Sequence, residues 1–339
     1  MKATIRDVAK LANVSISTVS RVLNAPDMVV RSKRERVLEA IAELNYSPNA
    51  LARGLIHRRT RTLGVLFPDI SNLFYSEVLA GMESAAYESD NNLIICNTDN
   101  NIDRKRAILK VLDEKQIDGL ILTSEPVLPD DQAMIAKLAC PVVLAATHSP
   151  DYAIASVKVD EEQAAYDAAA YLIGLGHVRI GMISGLADDP ISGGPRIRGF
   201  IRALEDHGLQ SDPERCIEYG SYRFEHSYEA MKKLHAKYPD MTAVFASGDE
   251  RALAAISYLH ENRIRIPEQV SVIGFDNTRM AGMCFPKLTT VAQPLYDIGY
   301  LSVVKLLRLI NGEPVDDLRT IVPHSIVERD SVAAPGKRI

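Results

Sequence analysis

The sequence lacks any apolar run approaching the roughly 18 residues of a membrane-spanning helix, so no membrane association is expected. Its opening residues, Met1-Lys2-Ala3-Thr4-Ile5-Arg6-Asp7, hold no apolar signal region, and a cytoplasmic location is expected. Cysteine is scarce: Cys96, Cys140, Cys216 and Cys284 form no Cys-x-x-Cys pair, which argues against a disulfide framework and a zinc site. Catalytic signatures are missing too. There is no Gly-x-Ser-x-Gly and no Walker A sequence, and Gly174-Leu175-Gly176 leaves a helical stretch rather than a strand. His226 and His235 stand nine apart and read as surface residues. Asp188-Asp189 reads as a solvated loop rather than an acid–base pair. No enzyme activity, cofactor or metal is expected.

What is present is an ordinary globular composition, 47% hydrophobic and 24% charged over 339 residues, which excludes disorder for most of the chain. The length suggests two or three domains. The net charge of −5 hides an asymmetry. Residues 1–61 hold twelve Lys/Arg against five Asp/Glu; the remainder hold 27 against 39. A small basic head on a large acidic body implies that the head meets a polyanion.

The head reads as three short helices. Thr4 and Asp7 form an N-cap pair opening the first, with Ile5, Val8, Leu11 and Ala12 on one apolar face. After the Asn13-Val14 turn, Ser15 caps a second helix to about Leu23, with Val19, Val22 and Leu23 inward. A third spans 32–45, with Val37, Leu38, Ile41 and Leu44 at helical spacing. A second helix straight after a tight turn is the helix-turn-helix arrangement, in which its N-terminal residues meet base edges in the major groove. Ile16, Ser17 and Arg21 then point outward. Arg21 has the fork that pairs with guanine N7 and O6, and Ile16 suits a thymine methyl. Thr4, Ser15, Thr18 and Asn24 have the chemistry of phosphate contacts. The competing reading is a small helical bundle with polar faces.

Pro48-Asn49-Ala50-Leu51-Ala52-Arg53-Gly54-Leu55 reads as one or two helical turns, too short to be stable alone, followed by the basic linker His57-Arg58-Arg59-Thr60-Arg61. From Thr62 the pattern becomes strand, helix, strand, helix. Strands are expected at 63–67, 93–97, 119–123, 142–145, 155–159, 180–184, 217–219, 243–246, 270–275 and 289–292. Helices are expected at 72–89, 102–114, 161–172, 195–207, 226–237, 249–261 and 296–310. The alternation means parallel α/β sheets, and its length implies two lobes with a first crossover near Asp160. The expected division is 1–47 for the head, 48–61 for the helix and linker, and 62–339 for the body.

Three blocks in this order carry a specific resemblance: Thr4-Ile5-Arg6-Asp7-Val8-Ala9 with Val14-Ser15-Ile16-Ser17-Thr18-Val19-Ser20-Arg21-Val22; Leu63-Gly64-Val65-Leu66-Phe67-Pro68-Asp69-Ile70-Ser71-Asn72; and Val272-Ile273-Gly274-Phe275-Asp276-Asn277. Essentially the whole chain resembles the LacI/GalR family of bacterial repressors. The resemblance implies an α/β fold class, with an N-terminal all-α helix-turn-helix head and a two-lobed periplasmic-binding-protein-like α/β body. It makes 48–55 a hinge helix that folds on operator DNA, with Leu55 as a minor-groove wedge and Ala52 as its neighbouring contact. Gly54 stands where a better helix former is usual, and Arg31 where a serine cap is. The resemblance also places a small effector, a sugar or sugar derivative, between the lobes. Arg196 and Asp276 are then the effector arginine and aspartate, and Ser71, Asn72, Phe74 and Tyr75 line the other wall. Gly248 occupies a position where sugar-responsive relatives carry Asn. Read bare, Arg196 is a helix-start ion pair and Asp276 a turn cap.

Pro68 to Tyr75, Gly274 to Arg279 and Gln293 to Gly299 resemble the catabolite-control branch, whose co-repressor is a serine-phosphorylated phosphocarrier protein. Tyr296 and Asp297 fall at its contact positions, with Lys305 or Arg308 as the basic residue toward phosphoserine. A relative sensing a sugar acid fits comparably. The expectation is a homodimeric transcriptional regulator, a repressor, on a double-stranded, pseudo-palindromic operator. The C-terminal residues carry no leucine heptad, so no tetramer is expected. The alternative is a small-molecule-binding α/β module or cryptic enzyme with an incidental basic head.

Overall fold

A computed structural model describes residues 3–24, 26–46, 59–315 and 317–336, and the chain divides into two units, Met1–Arg61 and Thr62–Ile339. The proposed wedge, Leu55, and its neighbour Ala52 lie outside the described residues.

In the first unit, Thr4 opens α1 (Ile5–Leu11) with a capping box. Its hydroxyl accepts from the Asp7 amide, and its own amide donates to the Asp7 carboxylate at 2.9 Å. Helix α2 (Ile16–Asn24) starts at Ser15, whose Oγ accepts from the Thr18 amide at 3.2 Å. Helix α3 (Arg31–Glu43) has no side-chain cap, because Val30 stands at its N-cap. Val8, Ala9, Ala12, Val19, Val22, Val37 and Ala40 close the core. Leu11 and Leu38, expected inside, are exposed; Ala9 and Ala40 take the inner positions beside Val8 and Val37. Small residues there let three short helices approach closely.

In the second unit, near-continuous apolar runs build strands buried on both faces, as parallel sheets require. The first lobe holds β1 (Thr62–Phe67), α4 (Leu73–Glu88), β2 (Asn92–Asn97), α5 (Ile102–Glu114), β3 (Gly119–Thr123), α6 (Pro129–Ile135), β4 (Val142–Ala145) and β5 (Ala155–Lys158). The second holds α7 (Glu161–Gly174), β6 (Ile180–Ser184), α8 (Gly193–Asp206), α9 (Pro213–Cys216), β7 (Ile217–Tyr219), α10 (Phe224–Lys237), β8 (Ala243–Ala246), α11 (Asp249–Glu261), β9 (Ser271–Asp276), α12 (Arg279–Met283) and β10 (Thr289–Ala292). The chain then returns. Helix α13 (Leu295–Ile310) and β11 (Arg319–Ile321) complete the first lobe, and β12 (Ser325–Val327) finishes the second. The lobes are thus joined three times: after β5, before α13 and after β11.

The sheet orders are β2-β1-β3-β4-β5-β11, all parallel, and β7-β6-β8-β9-β10-β12, with β12 antiparallel to β10. Both orders reverse direction, at β1/β3 and at β6/β8. In such sheets ligands bind beyond the carboxyl ends of the strands at the reversal. Glycines set the distance between the paired helices. A Cβ on Gly81 would lie 1.9 Å from the Tyr296 carbonyl oxygen, and one on Gly299 1.9 Å from that of Val78, so α4 and α13 touch backbone to backbone. Gly199 does the same between α8 and α7.

Candidate functional site

The loops at the two reversals face each other across a cleft. A cavity of about 260 Å³ is lined by Ser71, Asn72, Tyr222, Gly248, Arg251 and Asp276, among others. A smaller chamber beside it adds Phe74, Tyr75, Ser192 and Arg196. All seven cleft residues expected from sequence therefore meet in one place. Asn72 caps α4, accepting from the Phe74 amide at 2.9 Å, and so fixes the aromatic pair Phe74 and Tyr75, packed edge to face at 5.1 Å.

Arg196 is both things the sequence allowed: a cleft residue and an ion pair near the start of α8. Its Nε donates to Glu161 Oε2 at 2.7 Å, and Nη1 to the Ser247 carbonyl at 2.6 Å. Its guanidinium carbon stacks 3.8 Å above the Phe275 ring. Asp276 lies 3.9 Å from Arg196 and accepts from Gln293 Nε2 at 2.8 Å. Its φ of +112° is a backbone position that L residues rarely hold. Such strain, of order 1–3 kcal/mol, persists where the surroundings fix it and collects at functional sites. Behind it, Asp249 accepts from the Thr278 amide and hydroxyl at 2.6 and 2.9 Å, and from the Thr290 hydroxyl at 2.7 Å.

Burial pushes the Asp276 carboxyl up to about 7, with Arg196 opposing and Asp249 reinforcing the shift. Asp249 is pushed up to about 6 by burial, against its threonine donors. The raised pKa means the folded state keeps a proton that the unfolded state releases. Stability from this group is full below its unfolded pKa and is lost as pH rises toward 7. Arg196, Gln293, Glu161 and Asp249 face it and remain in Asp276→Asn. The stability of that variant relative to the wild type should therefore rise between pH 5 and pH 8, by about 2 kcal/mol. Calorimetric melts of the full chain at the two pH values test this; a constant difference would show that Asp276 is ionised throughout.

Sequence reasoning missed Tyr222, Arg251, Glu161 and Ser192. Arg251 reads as one more helix cation, and only the fold turns it inward. Asp189 is not simply solvated: it accepts from the amides of Ile191, Ser192 and Gly193 and from the Ser192 hydroxyl. Burial alone would raise its pKa, but these donors hold it below the usual carboxylate range while it organises the start of α8.

The head presents a second candidate surface. Ser15, Ile16, Ser17 and Arg21 are exposed on α2, and Thr18 is half-buried. Ser15 Oγ shares hydrogen bonds of 2.8 Å with Ser17 Oγ and with Thr18 Oγ1. Thr4 is exposed, but its hydroxyl donates to Asp7 at 2.7 Å. Nothing is described of the Asn24 side chain.

The outer face near α13 corrects one expectation. Tyr296 is exposed and, with Asp297, Glu77, Asn277 and Gln293, lines a shallow depression. Lys305, however, is 8% exposed, and its Nζ donates to the Ser156 and Asp317 carbonyls and to Thr320 Oγ1 at 2.6–3.1 Å. It ties β5 and β11 to α13 and has no donor left for a phosphoserine. Arg308, its alternative, has a partly exposed side chain 3.8 Å from Glu313. Among the described residues no helix is long and apolar enough to cross a membrane, and no His/Cys/Asp/Glu group is arranged to hold a metal ion.

The profile of bacterial regulatory proteins of the lacI family matches residues 4–49, and that of the periplasmic binding protein-like domain matches residues 169–332. Catabolite control protein A of Priestia megaterium is 41% identical, over 98% of this chain and 99% of its own. The HTH-type transcriptional regulator RegA of Clostridium saccharobutylicum is 37% identical over the same shares. Among solved structures, the lac repressor dimer bound to operator and the anti-inducer ONPF superposes with a TM-score of 0.87, at 26% identity, over 98% of this chain and 100% of that one. The complex of the transcriptional regulator CelR with cellobiose gives 0.75 at 29% identity, over 97% and 99%. With such likeness along its whole length, the chain belongs to the lacI family of bacterial regulatory proteins and is a DNA-binding transcriptional regulator.

Proposed function

We propose that the protein is a homodimeric repressor of carbohydrate or carbon-catabolite genes, reading a pseudo-palindromic operator and governed by a sugar or sugar derivative in its cleft. The observation that carries the reading is the exposed face of α2, where Ile16, Ser17 and Arg21 stand clear of a core closed by Val19 and Val22. The named relatives support the rest: a catabolite control protein, a repressor dimer on its operator, and a regulator holding cellobiose. Thr4, Ser15, Thr18 and Asn24 position the head on phosphates. Ala52 and Leu55 act at the operator centre. A ligand that fits one relative arrangement of the lobes shifts the population able to bind DNA, and DNA shifts ligand affinity by the same factor.

The test begins with duplexes selected from a random pool. Two-fold symmetric sites are expected, with affinity falling steeply as salt rises. Arg21→Ala should lose about tenfold to a hundredfold on the selected site and much less on unrelated DNA. Unchanged preference among sequences would remove Arg21 from base reading. The phosphocarrier co-repressor is the second reading, favoured by exposed Tyr296 and Asp297 at the depression; it must do without Lys305.

A further inference from the structure

We propose that Arg251 makes the cleft a receptor for an anionic metabolite, a polyhydroxylated molecule bearing a carboxylate or phosphate group. The proposal rests on the reading of the cleft as the effector site. Arg251 stands in the first turn of α11, is 3% exposed and lines the larger cavity. Its Nη1 donates to the Ser247 carbonyl at 3.2 Å, while its Nε is buried with no hydrogen-bond partner. No described carboxylate forms an ion pair with it. Arg196 provides the contrast, since Glu161 neutralises it at 2.7 Å. The Tyr222 ring lies over the Arg251 guanidinium, 4.5 Å away.

The backbone makes room for this cation. A Cβ on Gly248 would lie 2.9 Å from Arg251 Nη1 and 3.7 Å from Asp276 Oδ2. A Cβ on Gly185 would lie 3.3 Å from Arg251 Nη2. Any side chain at 248 would crowd the space the guanidinium holds beside the cavity. The amino end of the 13-residue α11 adds positive potential at the same point. Asp276 and Glu250 are near enough to attract this buried cation but form no direct ion pair with it, and an entering anion can supply the charge-assisted hydrogen bonds it lacks. Burial draws the Arg251 pKa below its ordinary value, and the Arg196 cation adds to the effect. Asp276, on the same wall, has its carboxyl pushed up to about 7 by burial, which eases the approach of an anion below that pH. Gly248, at a position where sugar-responsive relatives carry Asn, is thus one half of a pair whose other half is Arg251.

The test uses the full chain and a panel of hexoses, the matching uronates and the matching hexose 6-phosphates, titrated by calorimetry. At least one acid should bind about tenfold or more tighter than its neutral parent. Whether the uronate or the phosphate wins identifies the group. Arg251→Met should reduce the preference to about threefold or less, and Arg251→Lys should keep part of it. Thermal melts of both variants establish that they fold. Neutral hexoses binding as tightly as the acids would overturn the proposal and leave the cleft reading standing. An acid preference that survives in both variants would overturn the role of Arg251. Failure of every compound to bind would overturn the cleft reading together with the proposal.

Discussion

Arg196→Met is expected to destabilise the body by about 3–5 kcal/mol, the usual loss when one member of a buried ion pair is removed. The substitution keeps the volume over Phe275 but leaves Glu161, 3% exposed, without its partner. It also strips the Ser247 carbonyl of its 2.6 Å donor. Two features hold the loss toward the lower end. Glu161 is the first residue of α7, where the helix dipole favours a negative charge. Lys158, buried at the end of β5, lies close enough to interact with it. Adding Glu161→Gln to Arg196→Met should recover more than half of the loss, because the penalty belongs to the stranded carboxylate rather than to the missing contact. Urea melts of the wild type, both single variants and the double variant form the cycle. A loss below about 1 kcal/mol for Arg196→Met would show that the stranded Glu161 is accommodated at little cost.

Gly299→Ala should cost about 3 kcal/mol or more, although it adds one methyl group to a helix. The new Cβ would meet the Val78 carbonyl oxygen at 1.9 Å and the Met82 amide nitrogen at 3.0 Å, both backbone atoms of α4 that no rotamer change can move. The helices must separate, opening the core that Val78, Met82, Ile298 and Val303 fill. Gly81→Ala meets the same fate from the other side, against the Tyr296 carbonyl. One separation relieves both clashes, so the double variant should lose less than the sum of the singles. Gly282→Ala, with nothing within 4 Å of the added atom, is the control and should stay within about 0.5 kcal/mol. Strict additivity of Gly81→Ala and Gly299→Ala would mean that each clash is absorbed locally.

The strands that sequence reveals are those whose apolar residues run unbroken. Leu63 to Phe67 and Gly119 to Thr123 are buried throughout and end at a polar loop. Strands β11 and β12 escaped because each has three residues at a sheet edge, with exposed or half-exposed side chains and no run to detect. Helices α6, α9 and α12 are short and each buries a single apolar residue, Ile135, Cys216 and Ala281, so none shows a recurring apolar face to read. The cleft positions after β1 and β9 were legible through whole motifs of the family. After β7 and β8 only Gly248 was expected; Tyr222 and Arg251 belong to no motif, and the room Arg251 occupies depends on Gly185, distant in sequence, as well as on Gly248. Lys305 was legible in principle. It lies seven residues after Ile298 and three after Ser302, on the helix face that Leu306 also buries, and its charge drew the eye outward.

The three joins between the lobes also order events at the ribosome. The first lobe's sheet needs β11, and its core needs α13, which begins only at Leu295, long after β5 ends at Lys158. At 5–20 residues per second, that helix emerges on the order of 10–30 s after the strands it must cover. Until then α4 presents Val78 and Met82 and the bare glycine seam to solvent or to chaperones. The second lobe, by contrast, is nearly complete in one stretch from Glu161 to Ala292, lacking the edge strand β12 and the segment after it that Ser331 and Ala333 tie to β9. The lobe that begins the body therefore stays without its covering helix until all the parallel strands of the second have emerged, and a chain truncated before Leu295 would carry a nearly complete second lobe beside an open first one.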